Sequence, residues 1–263
     1  MQTIFFSHAN GFPARTYDYF LRKLHPFAVD YVPVLGDHTP APLRHWRSLT
    51  HELINAIESR HSAPVIGLGH SLGAVLTLWA AASRPDLFSR VILMDPPLFV
   101  PTKRWLLAGI TALGLAPWLN PVAQKARNRR QHFTSLAEAE AYWRPKPLFR
   151  DFHPQCFQDY VAHALQPDQD GFSLRFPAER EYRLFLCAPL RIGPQPPVPS
   201  HFVHSTAGKV LRPADLAWLK KHFPSMTFVP AKGGHMFPLE QPEATAAMIH
   251  HHLGAGPFVP KCE

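Results

Sequence analysis

Cysteine is scarce in this 263-residue chain: three residues, Cys156, Cys187 and Cys262, odd in number and far apart. A disulfide framework is therefore not expected, and no spacing of Cys or His suits a metal site. Met1-Gln2-Thr3 leads straight into an apolar strand, with no charged n-region and no h-region, so no secretory signal is expected. No apolar run is long enough to span a bilayer. A reducing cytoplasm is the expected location. Acidic residues are outnumbered, 19 Asp and Glu against 27 Lys and Arg, for a net charge of +8. Such a balance can mark nucleic acid, acidic membranes or anionic substrates as partners. The clearest basic cluster, Lys125-Ala126-Arg127-Asn128-Arg129-Arg130, reads as a solvated helix face. No nucleic-acid fold signature accompanies it, and no nucleic-acid partner is expected. The hydrophobic share, 46%, is that of a globular protein, and the length suits one domain with a sizeable insertion.

The most informative stretch runs from Val65 to Gly73, Val-Ile-Gly-Leu-Gly-His-Ser-Leu-Gly. An apolar strand meets Gly-x-Ser-x-Gly, and a helix from Leu72 to Ser83 follows without a linker. That context predicts a nucleophile elbow, a turn so tight that Ser71 is strained and exposed at its tip. Gly69 and Gly73 would leave the turn room. The helix N-terminus would aim its dipole and free N–H groups at the serine oxygen.

Serine alone is a weak nucleophile and needs a base, an orienting acid and an oxyanion hole. Among seventeen His, His235 stands out. It follows a short strand, Thr227 to Pro230, in the loop Lys232-Gly233-Gly234-His235, and a helix from about Pro242 to Leu253 comes next. The first strand, Thr3 to Ser7, ends in His8-Ala9-Asn10-Gly11-Phe12-Pro13. The N–H groups of Asn10 and Leu72 are the candidate oxyanion donors.

These pieces resemble the α/β-hydrolase superfamily, and within it the small lipase/esterase-like serine hydrolases with a cap domain. The resemblance covers the whole chain and implies the order Ser, acid, His. Most relatives carry the acid after the next-to-last strand, in a Gly-x-x-Asp turn; here Gly208 falls where that Asp is expected. A minority place it one strand earlier, where this chain has Asp95 after Val91-Ile92-Leu93-Met94. Asp95 is the preferred acid, Asp215 in the following helix the second choice, and a Ser-His dyad the third.

Strands at about 3–7, 27–34, 65–69, 91–94, 200–204 and 226–229 alternate with helices, including 15–24 and 43–60, the pattern of a mostly parallel sheet. Trp46, Leu49, Leu53, Ile54 and Ile57 recur at helical spacing and are expected to face the core. The resemblance implies an opening antiparallel strand pair that this sequence lacks. Either the sheet is reduced to about six strands or the start is truncated, and an exposed edge would then need cover. Core residues 1–96 and 199–263 would flank a helical cap, 97–198, since that stretch is too long for a simple loop. Within it, Trp105 to Leu119 is strongly apolar and broken by Pro117. It is too short to span a bilayer and reads as a buried cap helix, a lipid-facing lid being the sharper alternative. Ser135 and Glu138 have capping-box spacing. Trp105, Phe133, Trp143, Phe149, Phe152 and Tyr160 would form the cap's core or line an apolar pocket.

The reading is a serine hydrolase that cleaves carboxylic esters of small to medium apolar substrates through an acyl-enzyme, with no cofactor and no metal. A carbon–carbon hydrolase, lactonase or thioesterase on the same triad is the alternative, and the basic cap would suit an anionic substrate. A catalytically silent small-molecule receptor is the alternative of another class.

Overall fold

A computed structural model describes residues 2–39, 45–187 and 191–254. Cys262 and the first two residues of the helix expected at 43–60 lie outside the described residues. Strand β1 (Thr3–Ser7) leads through the short helices Ala14–Tyr17 and Asp18–Arg22 into β2 (Ala28–Tyr31). Helix Trp46–Arg60 returns the chain to β3 (Val65–His70), and helix Leu72–Ser83 carries it to β4 (Phe88–Met94). A long segment with three short strands follows: β5 (His132–Phe133), β6 (Leu165–Asp168) and β7 (Gly171–Leu174). The chain then adds β8 (Ser200–Ser205), helix Pro213–His222, β9 (Thr227–Ala231) and the helices Phe237–Glu240 and Pro242–Leu253.

Six strands form one sheet in the order β2-β1-β3-β4-β8-β9, and every neighbouring pair is parallel. Both faces are covered, so the strands read as near-continuous apolar runs. Side chains still alternate between two cores. Ile4, Phe6, Ile66, Leu68, Ile92, Met94 and Val203 enter one. Phe5, Val65, Val91, Leu93 and Phe202 enter the other, with Trp46, Leu49, Leu53, Ile54 and Ile57 of helix Trp46–Arg60 packed against them. The winding direction reverses at β1, which has β2 on one side and β3 on the other. A crevice beyond the carboxyl ends of the strands forms at such a reversal. Here it is bounded by the loop 8–12 and by Ser71.

The sheet edge is covered by its own side chains. Strand β2 is only four residues long, and Asp30 Oδ1 accepts from the Tyr31 N–H at 2.7 Å. Arg60 donates to the Tyr31 carbonyl at 3.1 Å and to Asp30 at 3.2 Å. A short strand with a charged, occupied rim is a poor template for another chain.

The segment between β4 and β8 is not purely helical. Its strands form an antiparallel sheet, β5-β7-β6, beside the helices. Asp170-Gly171 supplies the hairpin signal, with Gly171 at φ 142°, a conformation that favours glycine. Phe133, Trp143, Phe149, Phe152 and Tyr160 are buried, and Phe12 and Tyr17 join them to the main core. Ser135 Oγ caps its helix by accepting from the Glu138 N–H at 3.1 Å. The Glu138 carboxylate turns away to the N–H and hydroxyl of Thr134, leaving the box half made.

One expectation is overturned. The run Trp105 to Leu119 is not a buried helix: helix Pro101–Ala112 buries none of its residues, and Trp105 is 78% exposed. The run is apolar on all sides, so packing one side leaves apolar groups outside. The basic cluster is also less free than a solvated face implies. Arg129 is paired with Glu181, and Arg130 with Glu138.

Helix Leu72–Ser83 lies so close to β1 that a Cβ on Gly73 would stand 2.0 Å from the Ser7 carbonyl oxygen. Backbone on both sides leaves no slack. Gly73→Ala should cost about 3 kcal/mol, the upper end of overpacking, seen as a lowered urea midpoint.

Candidate active site

Three strand ends bring the candidate residues together. Ser71 follows β3 at φ 53°, ψ −115°, and Asp95 follows β4 at φ 46°. Among the described residues these are the only two non-glycine positions with positive φ. Such conformations cost on the order of 1–3 kcal/mol each and persist only where the surroundings impose them. Here the neighbouring strand does so: the Ser71 N–H donates to the Met94 carbonyl at 2.9 Å, and the Asp95 N–H to Val203 at 2.7 Å.

His235 arrives from the loop after β9. Gly233 has φ 122°, and a Cβ there would meet the Glu240 carboxylate at 2.8 Å. That carboxylate accepts from the Gly234 N–H at 2.5 Å and fixes the approach to the imidazole. His235 Nδ1 lies 2.6 Å from Asp95 Oδ2, and His235 Nε2 lies 2.9 Å from Ser71 Oγ. A carboxylate only accepts, so Nδ1 carries the proton and Nε2 is left to accept from the serine hydroxyl. This is the tautomer a general base needs.

Asp95 is fully buried. Burial by itself raises its pKa, but bonds from His235 and Ser205 prevail and hold it below the ordinary carboxylate value. Ser205 gives it both its N–H, to Oδ1, and its hydroxyl, to Oδ2, each at 3.0 Å. Gly208, where relatives are expected to carry the acid, has no room for a side chain: a Cβ would fall 1.9 Å from Ser205 Oγ. Asp215 is not brought to His235. It is buried at the start of helix Pro213–His222, accepting from the N–H groups of Arg212 and Val100.

Asn10 and Leu72 lie on the loop after β1 and at the first turn of helix Leu72–Ser83. Neither N–H has an acceptor among the described residues. The Asn10 side chain donates to the Glu181 carbonyl at 3.1 Å. The Glu181 carboxylate, packed over Gly11, pairs with Arg129, which also bonds the Tyr160 hydroxyl at 2.8 Å. The inserted segment thus grips the loop that carries Asn10.

Sequence reasoning missed Ser205, Glu240, Glu181 and two histidines. His70, inside the elbow motif, is fully buried. Its Nε2 faces the His235 carbonyl at 2.8 Å, so that nitrogen donates, and Nδ1 accepts from the Tyr17 hydroxyl at 2.7 Å. His8 donates from Nδ1 to the Ala9 carbonyl and accepts at Nε2 from the Leu35 N–H, both at 2.8 Å. Both rings are neutral. Burial lowers the pKa of His8 to about 4 and that of His70 to about 3, the latter with a further contribution from nearby His235. No group of three or more His, Cys, Asp or Glu able to hold a metal ion occurs among the described residues.

The sequence model of a family described as the alpha/beta hydrolase family matches residues 4–248. Peroxisomal membrane protein LPX1 of Saccharomyces cerevisiae is 26% identical over 220 residues, 76% of this chain and 55% of that protein. The chain thus spans about half the length of that relative. Among solved structures, E-2-(acetamidomethylene)succinate hydrolase is similar with a TM-score of 0.79 at 20% identity, covering 97% of this chain and 91% of that one. The thioesterase domain from the curacin biosynthetic pathway is similar at 0.69 and 18% identity, covering 94% and 90%. These likenesses establish the shared fold.

The buried histidines make stability depend on pH. Their folded pKa values lie below the ordinary 6.5, so the unfolded chain takes up protons first. Stability is complete above pH 6.5 and falls as pH drops through 6.5 toward 4. Each ring should contribute about 1.4 kcal/mol per pH unit in that window. Urea unfolding from pH 7 to 4.5 measures the slope, and His70→Gln should remove one histidine's share.

Proposed function

The chain belongs to the alpha/beta hydrolase family, and on that footing we propose that it is a serine hydrolase cleaving carboxylic esters of small to medium apolar substrates. Ser71 is the nucleophile, His235 the base, Asp95 the orienting acid, and the N–H groups of Asn10 and Leu72 the oxyanion donors. The observation that carries this reading is the relay itself, Ser71 Oγ to His235 Nε2 at 2.9 Å and His235 Nδ1 to Asp95 Oδ2 at 2.6 Å.

In the first step Ser71 Oγ adds to the ester carbonyl as its proton passes to His235 Nε2. The tetrahedral oxyanion is held by the two backbone N–H groups, fixed before the reaction begins. Asp95 keeps the ring oriented and stabilises the imidazolium without taking the proton. The oxyanion collapses, the ester C–O bond breaks, and His235 Nε2 protonates the departing alcohol. Water then enters, gives a proton to His235 and its oxygen to the acyl carbon. Collapse of that second intermediate releases the carboxylic acid and returns the proton to Ser71.

An uncharged substrate is supported by the site's own charges. Among the described residues, Asp95 is the only charged group hydrogen-bonded to the Ser71–His235 pair. Residues 97–198 are proposed as the cap that closes over the bound ester, resting on the Glu181 and Arg129 contacts to the loop 8–12. A cytoplasmic location is part of the proposal, supported by the two unpaired cysteines, Cys156 and Cys187. The yeast relative carries a peroxisomal name. A silent receptor would have no use for two strained positions aimed at one imidazole.

Hydrolysis of p-nitrophenyl esters of rising acyl length tests the reading. Ser71→Ala should abolish turnover, and Asp95→Asn should lower kcat about 10⁴-fold by losing the correct tautomer. Asp215→Asn should leave kcat within a few-fold and cost about 1 kcal/mol of stability through its helix cap. The reverse ranking of the two aspartates would overturn the acid assignment. Failure of the folded protein to label with a fluorophosphonate probe would favour the receptor.

A further inference from the structure

Nine large apolar side chains stand exposed among the described residues, and seven of them fall between residues 105 and 122. Trp105, Leu106, Leu113, Trp118, Leu119 and Val122 are each at least half exposed. They lie on three helices, Pro101–Ala112, Ala116–Leu119 and Pro121–Arg127, with Leu113 in the turn just after the first, and the helices touch one another in succession. A scattered exposed leucine needs no explanation, whereas a contiguous apolar patch marks a surface that is covered by something.

The patch is held in place at both ends. Before its first helix, the Val100 N–H donates to Asp215 at 3.0 Å. Arg104 lies over the Trp218 ring at 5.3 Å, turning that side of the helix inward. At the far end Ala123 and Ala126 pack on Tyr182. Between these anchors the two tryptophans point outward.

Charge selects the partner. From Pro96 to Ala137 the chain has no Asp or Glu, and it has six cations: Lys103, Arg104, Lys125, Arg127, Arg129 and Arg130. Lys125 and Arg127 are exposed, and Lys125 lies three residues, about one helical turn, beyond Val122. A second copy of the chain would bring like charges together. Tryptophan and leucine flanked by lysine and arginine are what an anionic lipid surface favours: apolar groups enter the headgroup boundary and cations remain at the phosphates. We propose that the helices from Pro101 to Arg127 dock the protein on anionic phospholipid membranes. This inference does not depend on the esterase reading.

Cosedimentation of the full chain with vesicles tests it. The wild type should bind phosphatidylcholine–phosphatidylglycerol vesicles at low salt and lose binding as salt screens the headgroups. Trp105→Ser with Trp118→Ser should weaken that binding at least about tenfold with the melting temperature unchanged, since both rings are exposed. Lys125→Glu should weaken it several-fold. Ser71→Ala should bind like the wild type. Absence of binding to these vesicles, equal binding to pure phosphatidylcholine, or unchanged binding of the tryptophan variant would each overturn the proposal. A concentration-dependent dimer lost in that variant would assign the face to a second copy instead.

Discussion

The close approach of Gly73 to the Ser7 carbonyl is the constraint on which the site depends. It seats the N-terminus of helix Leu72–Ser83 against the end of β1, so the elbow and the loop with Asn10 border one crevice. From there the restraint passes sideways across the sheet. Ser71 is pinned to Met94 on β4, Asp95 to Val203 on β8, and Ser205 returns to the Asp95 carboxylate. Each strained or charged group is fixed by the next strand over. Strain of this kind persists only where surrounding structure over-determines it.

Electrostatics complete what geometry begins. The His70 and His235 rings are 5.2 Å apart. A charged His70 would oppose protonation of its neighbour. Burial keeps His70 neutral, and its tautomer is fixed because a carbonyl accepts on one side and a tyrosine hydroxyl donates on the other. Asp95, held below the ordinary carboxylate pKa, accepts from His235 Nδ1 and leaves Nε2 facing Ser71. On the proposed reading, a proton leaving Ser71 would have one destination, His235 Nε2, 2.9 Å away.

Much of this is legible in the sequence because the elbow is local. Strand, turn and helix lie within nineteen consecutive residues, 65–83, and glycine, serine and glycine fall at the required spacing. His235 was readable from its Gly-Gly approach, and Asp95 from its place at a strand end. Ser205 was not, because its meaning comes from a carboxylate 110 residues away. The exposed run from Trp105 is the opposite case. Its composition says burial, yet the six-stranded core is already covered and offers it only one side. The hairpin of β6 and β7 was missed because Pro167 and the polar residues around it obscure the alternation of a strand.

The support of Asp95 by β8 also bears on how the protein comes into being. Ser71 and Asp95 both lie within the first 95 residues, whereas Ser205 and His235 lie beyond the long inserted segment. A chain emerging from the ribosome thus presents its serine long before the imidazole that would activate it. Contacts of such sequence separation form late, after loop closure has been achieved. On the proposed reading, Ser71 would stay unactivated until the last strands dock, and reactivity would itself report completed folding.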